Sequence, residues 1–230
     1  MFVLKGSICI TLLGAAALAM ADLQSDFSIV NGNPNGSWTY GTLSSVGGTF
    51  TPFTQTSSFS IGIGTFDGWY VSSGAGLPGA YELTSGTMNG YNGGVGGVAV
   101  GEVSLHGGSG GQLAVVRWTP SAGGIFNLSG YFGSGDGLGA QYGRVDAYVA
   151  KGSSVLWSSL NTATTQTYAL SNVAVASGQS IDIIVGIGQD TYLYDTTPVN
   201  LSIQAVPEPA TMAALALGLA ALKRRRKHSA

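Results

Sequence analysis

The segment Arg144-Val145-Asp146-Ala147-Tyr148-Val149-Ala150 decides the fold class. Val145, Ala147 and Val149 fall on one face and Asp146 and Tyr148 on the other, the two-residue period of a half-buried strand. Outward from it, Leu113-Ala114-Val115-Val116-Arg117-Trp118 reads as a strand closed by Pro120. Gly124 to Phe132 sets Ile125, Asn127, Ser129 and Tyr131 against Phe126, Leu128, Gly130 and Phe132. Ser180 to Gly186 and Val199 to Ile203 complete the set. No interior stretch sustains a helical period, and turn residues recur about every ten positions, which favours antiparallel sheets. Gly86 to Gly111 holds eleven glycines, and Gly86 to Gly97 is read as loop, because glycine disfavours regular strands. Asn33-Pro34-Asn35-Gly36 is a turn.

Charge is scarce and unevenly placed. Between Asp22 and Ala205 only Arg117, Arg144 and Lys151 are basic. Ten side chains there are acidic: Asp22, Asp26, Asp67, Glu82, Glu102, Asp136, Asp146, Asp182, Asp190 and Asp195. Three against ten gives this body a formal charge of −7, where the whole chain carries −2. Such a body repels a phosphate backbone, so nucleic acid is not an expected partner. The one cysteine, Cys9, lies in the N-terminal apolar run, so the body has no thiol for a disulfide, a nucleophile or a zinc site.

Both ends read as addresses. Lys5 precedes an apolar run from Ile8 to Ala21 that ends in Ala19-Met20-Ala21, an A-x-A cleavage pattern, with Asp22 as the expected first mature residue. Residues 1–21 are thus a signal peptide for the Sec translocon, without a twin arginine. At the other end Val206-Pro207-Glu208-Pro209 leads into the apolar run Ala210 to Leu222 and then the basic cluster Lys223, Arg224, Arg225, Arg226 and Lys227. The apolar run of 13 residues spans roughly 20 Å as a helix, short of a hydrocarbon core of about 30 Å. The basic cluster stays cytoplasmic, which places the body outside the inner membrane.

Pro-Glu-Pro, a short apolar helix and a basic end, in that order, resemble the PEP-CTERM sorting signal, a tail also catalogued as the C-terminal domain of some ice-binding proteins. The resemblance covers residues 206–230. It implies recognition by an exosortase, a membrane cysteine transpeptidase, with cleavage near Pro207 to Pro209. It implies nothing about the body, and ice binding is not carried over. The body itself is similar to those of many PEP-CTERM proteins. The likeness rests on Asp26-Phe27-Ser28, on Asn33-Pro34-Asn35-Gly36-Ser37-Trp38-Thr39-Tyr40-Gly41, and on Val115-Val116-Arg117-Trp118-Thr119-Pro120. It continues at Gly178-Gln179-Ser180-Ile181-Asp182-Ile183 and Asp195-Thr196-Thr197. That likeness implies a jelly-roll, carbohydrate-binding-like sandwich. The chain departs from it after His106, where many relatives read His-Pro-Gly.

Candidate chemistry is thin. His106 is the only histidine before the basic tail and reads as a turn residue. Asp136, Asp190 and Asp195 sit in turns, and Asp190 with Asp195 is the candidate pair for a structural calcium, the only cofactor considered. Glu82 and Glu102 lack the context of a glycosidase pair. Trp38, Trp69, Tyr192 and Tyr194 are candidate glycan-stacking rings if exposed, and packing residues otherwise. Arg117 reads as one half of an inter-strand salt bridge.

The expected architecture is all-β. A single jelly-roll-like antiparallel β-sandwich at residues 22–205 is flanked by an N-terminal signal helix and a short C-terminal transmembrane helix within residues 206–230. The expected function is non-enzymatic, that of an exported envelope- or exopolysaccharide-associated protein that passes through the inner membrane. The alternative is an extracellular carbohydrate-binding module.

Overall fold

The computed structural model describes residues 20–72, 76–89, 97–135, 143–189, 191–207 and 217. In chain order the elements begin with β1 (Met20–Asp22), α1 (Leu23–Asp26), β2 (Trp38–Leu43), β3 (Phe50–Pro52), β4 (Gln55–Ile61) and β5 (Gly64–Tyr70). Then come β6 (Gly79–Ser85), β7 (Met88–Asn89), β8 (Gly97–Val98), β9 (Val103–His106), β10 (Leu113–Trp118) and β11 (Gly124–Phe132). The set closes with β12 (Val145–Lys151), β13 (Ser154–Thr162), β14 (Gln166–Val175), β15 (Ile181–Ile187) and β16 (Thr197–Ala205).

Two antiparallel sheets stack. One runs β14-β11-β16-β9-β6-β5-β4, with β1 beside β16, and the other runs β13-β12-β15-β10-β2-β3. The strands expected from alternation form with the expected faces. Val145, Ala147 and Val149 of β12 enter the core, as do Phe126, Leu128 and Phe132 of β11, while Ile125 is exposed. Beside β12 in the second sheet, Val116 and Trp118 of β10 and Ile181, Ile183 and Val185 of β15 join the same core, opposite the β11 side chains. This is the sandwich solution: each sheet buries one face against the other. Two hairpins turn in two residues, at Gly62-Ile63 and Gly152-Ser153. Gly62 and Gly152 sit at φ of +60° and +58°, where a glycine at the first turn position matches the strand twist.

Some features differ from the sequence reading. The outer face of the second sheet is not a plain solvent face. Leu43, Val115, Ala150 and Ile184 form a second cluster covered by Val46, Phe50, Leu113 and Tyr148. The segment read as loop from Gly86 to Gly97 contributes strand at both ends, since β7 pairs with β8 through Met88–Val98 and Asn89–Gly97. Met88 and Val98 bury Phe66, Tyr70, Tyr81 and Leu83 in a third cluster, and the apolar area they shield outweighs the glycine cost. His106 ends β9 with 7% exposure rather than sitting in a turn.

Candidate functional site

The two ends of the body meet on one rim. In β1, Met20, Ala21 and Asp22 pair with Gln204, Ile203 and Ser202 of β16. β16 is also held along its other edge by β11. The chain stays paired one step beyond the strand, because the Val206 N–H donates to the Ile125 carbonyl at 2.8 Å. Ala21, Val206 and Pro207 thus line one groove of about 660 Å³, together with Trp118, Ile125 and Ile203. None of the residues lining it has an ionisable side chain, so it holds no acid or base for chemistry. Of the sequence-predicted sorting and cleavage residues, Ala21, Asp22, Val206 and Pro207 lie together here. Ala19, Glu208, Pro209, Lys223, Arg224, Arg225, Arg226 and Lys227 lie outside the described residues, as does the apolar run 210–222 apart from Leu217. No helix among the described residues is long and apolar enough to cross a membrane.

Asp22 has a role that the cleavage pattern did not announce. It caps α1, its Oδ1 accepting the N–H groups of Gln24 at 3.1 Å and Ser25 at 3.4 Å. Its Oδ2 accepts from Ser202 Oγ and, at 3.4 Å, from Asn200 Nδ2. Asp26 Oδ2 accepts the Asp22 N–H at 3.2 Å and Trp38 Nε1–H at 3.0 Å. Gln24 Nε2 donates to the Tyr131 hydroxyl, which donates to Glu102. Burial first, and Glu102 second, push the Tyr131 hydroxyl well above the usual phenol range. The only cue in the sequence was Asp22-Leu23-Gln24-Ser25-Asp26, a short capping pattern.

The candidate glycan rings divide. Trp38 and Trp69 are 2% and 6% exposed, which corrects their reading as stacking residues: neither presents a ring face to a sugar. Trp38 Nε1–H is satisfied by Asp26, and Trp69 Nε1–H donates to the Ser28 carbonyl at 2.9 Å. Trp69 stacks on Tyr40 with centroids 6.4 Å apart. A large amphipathic ring gains more by burying its carbon and pairing its N–H than by remaining in water. Tyr192 and Tyr194 are half-buried in the turn between β15 and β16, with Tyr194 at φ +68°. Asp190 of the calcium pair lies outside the described residues, and Asp195 is 1% exposed. Among the described residues no three His, Cys, Asp or Glu side chains gather where a metal ion could be held. The His106 Nδ1 lies 2.8 Å from the Gly107 carbonyl.

Among solved structures the chain is similar to the CBM36-1 domain of a multidomain xylanase from the hindgut metagenome of Trinervitermes trinervoides. Identity is 12%, over 74% of this chain and 99% of that one, with a TM-score of 0.31. It is also similar to the Podospora anserina GH26-CBM35 β-(1,4)-mannanase, at 16% identity over 56% of this chain and 28% of that one, with a TM-score of 0.30. No curated protein matches the chain. The family description that matches, the PEP-CTERM protein-sorting motif, covers residues 205–227. It begins at Ala205, the last residue of β16, and takes in the Pro-Glu-Pro element, the apolar run and the basic cluster. The chain thus carries a match to the PEP-CTERM protein-sorting motif at residues 205–227.

Proposed function

We propose that this chain is a non-enzymatic, exported protein of a bacterial envelope or exopolysaccharide matrix. Its sandwich is delivered by a cleavable Sec signal and sorted by an exosortase through residues 206–227. The observation that carries the reading is the adjacency of its ends, with Ala21 paired to Ile203 and both lining the groove that Val206 and Pro207 close. One membrane can hold a leader and a tail that leave the body side by side. The rim loops 119–123, 152–153 and 176–180 carry no ionisable side chain, so the face turned to an anionic bilayer presents no carboxylate from these loops. No cofactor enters this reading. The finer topology is taken as jelly-roll-like, with the apolar run 210–222 as a transmembrane helix during transit.

A second reading, a carbohydrate-binding module, rests on Tyr192 and Tyr194. They share one turn on the rim opposite the tail, half-buried and facing away from the membrane in the tethered orientation. Expression of the full chain in exosortase-positive and exosortase-negative hosts tests the leading reading. Tail-trimmed protein in the envelope fraction of the first host only is the expected result. Identical processing in both hosts overturns it. Retention of the matured protein on a glycan array, lost on Tyr192→Ala with Tyr194→Ala, would favour the second reading.

A further inference from the structure

Hydrolysis of the Ala21–Asp22 peptide bond does more than release a leader. It consumes one water, leaves Ala21 as a carboxylate on the departing peptide and converts the Asp22 amide nitrogen into an ammonium. It also removes two of the three pairs between β1 and β16, Met20–Gln204 and Ala21–Ile203. What remains between the new end and β16 is Asp22 itself, through Ser202 and Asn200.

The position of that nitrogen is already furnished for a cation. It lies 3.2 Å from Asp26 Oδ2, whose orientation is fixed by Trp38 Nε1–H. The Asp22 carboxylate is held beside it by α1 and β16. Neither carboxylate has a basic partner among the described residues. The basic side chains described there are engaged elsewhere: Arg117 with Asp182, Arg144 with the Asn161 carbonyl and Lys151 with the Ala174 carbonyl. We infer that Asp22 and Asp26 form a receptor for the chain's own new amino terminus. Signal removal thereby exchanges a two-residue strand for an ammonium clip on β16, the strand that runs directly into the sorting motif. This rests on the cleavage reading above.

The groups on the elements packed around Asp22 fix the sign of the pH dependence of its nitrogen. α1 and its cap supply Asp22 and Asp26, β11 supplies Tyr131 with Glu102 behind it, β2 supplies Trp38, and β16 supplies the neutral Asn200 and Ser202. Every ionisable neighbour is an acid, so the ammonium form is favoured over its ordinary range of about 7.7–8.0. The clip's contribution to stability is full below that range and is lost as pH rises through the raised value.

The test has two arms. N-terminal sequencing of the full chain matured in a Sec-competent host should return Asp22; another start overturns the cleavage reading and the clip with it. In the second arm, chain Asp22–Ala230 is released in detergent from an N-terminal fusion, and acylation of its α-amine at pH 8 is followed by mass spectrometry. Asp26→Asn and a chain with one alanine added before Asp22 serve as comparisons. The unmodified chain should label at least about threefold more slowly than either. Equal rates in all three overturn the clip while leaving the cleavage reading standing. The alanine-extended chain keeps both carboxylates, so a folding defect in Asp26→Asn does not blunt the result.

Discussion

Asp182 lies directly opposite Arg117 across β15 and β10 and accepts both guanidinium donors, Nε at 2.7 Å and Nη2 at 2.8 Å. Asp182 is 1% exposed. Phe50 covers the pair, its ring centre 4.1 Å from the guanidinium carbon. Two charges therefore sit beneath an aromatic lid on the outer face of the second sheet. Such a pair stabilises little in net terms, yet breaking it leaves a buried carboxylate without its partner. Arg117→Ala should cost about 2–3 kcal/mol in urea unfolding, at the low end for buried pairs because Arg117 is partly hydrated. The Arg117→Ala, Asp182→Ala double variant should lose clearly less than the sum of the singles. Additive losses would show that the two do not couple.

Trp69 is predicted to act through packing alone. Trp69→Ala should destabilise by about 3–5 kcal/mol, because it empties the space beside Tyr40 and orphans the Ser28 carbonyl. Thermal unfolding reads the loss. Soluble glycans added to the native protein should leave the emission of the buried tryptophans unchanged, and a saturable shift would contradict their burial.

Gly130 is required by close approach of a neighbouring strand rather than by its φ. A Cβ there would lie 2.0 Å from the Asn200 carbonyl oxygen and 2.6 Å from the Tyr168 hydroxyl. Tyr168 uses that hydroxyl to donate to the same carbonyl at 2.7 Å. Gly130→Ala must push β11 off β16, at about 2–3 kcal/mol or more. Gly178→Ala, where a Cβ meets nothing but φ is +75°, should cost only about 1 kcal/mol. A reversed order in chemical denaturation would contradict the register.

Glu82 and Asp67 are cross-strand partners on β6 and β5. Burial first, and Asp67 second, push the Glu82 carboxyl above its ordinary range. A raised carboxyl binds its proton more tightly in the folded state. Its contribution is therefore most favourable below the ordinary carboxylate range and declines as pH climbs through the raised value. Glu82→Gln should remove that decline, stabilising the protein at pH 7 by about 0.2–1 kcal/mol and by nothing measurable at pH 3. Equal effects at both pH values would reject this account.

The tail prediction follows from how far β16 stays paired. The Val206 N–H is bound to Ile125, so the first backbone a transpeptidase can draw into an active site lies at Pro207 or beyond. By their fixed φ and missing N–H, prolines at 207 and 209 disfavour a helix there on sequence grounds. Intact-mass measurement of envelope protein should find a body ending at or after Pro207. Replacing Pro207, Glu208 and Pro209 by alanine should leave untrimmed chain in the inner membrane. Deleting Lys223 to Lys227 should instead release untrimmed chain into the periplasm. Normal trimming of the alanine variant would reduce the tail to a weak anchor.

Strands with a clean two-residue alternation were legible to within a residue or two. β10 and β11 span the segments read from the sequence, and β12, β15 and β16 differ only at their ends. β13 and β14 were not legible, because edge strands face water on much of their surface and mix Ser, Thr, Asn and Gln with their apolar residues without a clean alternation. β4 and β5 were missed for a related reason: their Ser, Thr and Gly positions carry little apolar contrast. Burial of Trp38 and Trp69 was equally hidden, since a tryptophan has the same letter on a binding face and in a core.

The sequence by itself determined the all-β class, the C-terminal sorting motif and the acidic, cysteine-free composition of residues 22–205, because these depend on local period, order and composition. Only the tertiary structure decided which aromatics are buried, where the charged pair closes and that Asp22 meets Asp26 beside β16. Those are contacts between residues as far as 180 positions apart, as Asp22 and Ser202 are. Such contacts are set by which strands become neighbours, and neighbourhood in a sandwich follows from burying two whole sheet faces at once, a property that no short stretch of chain carries.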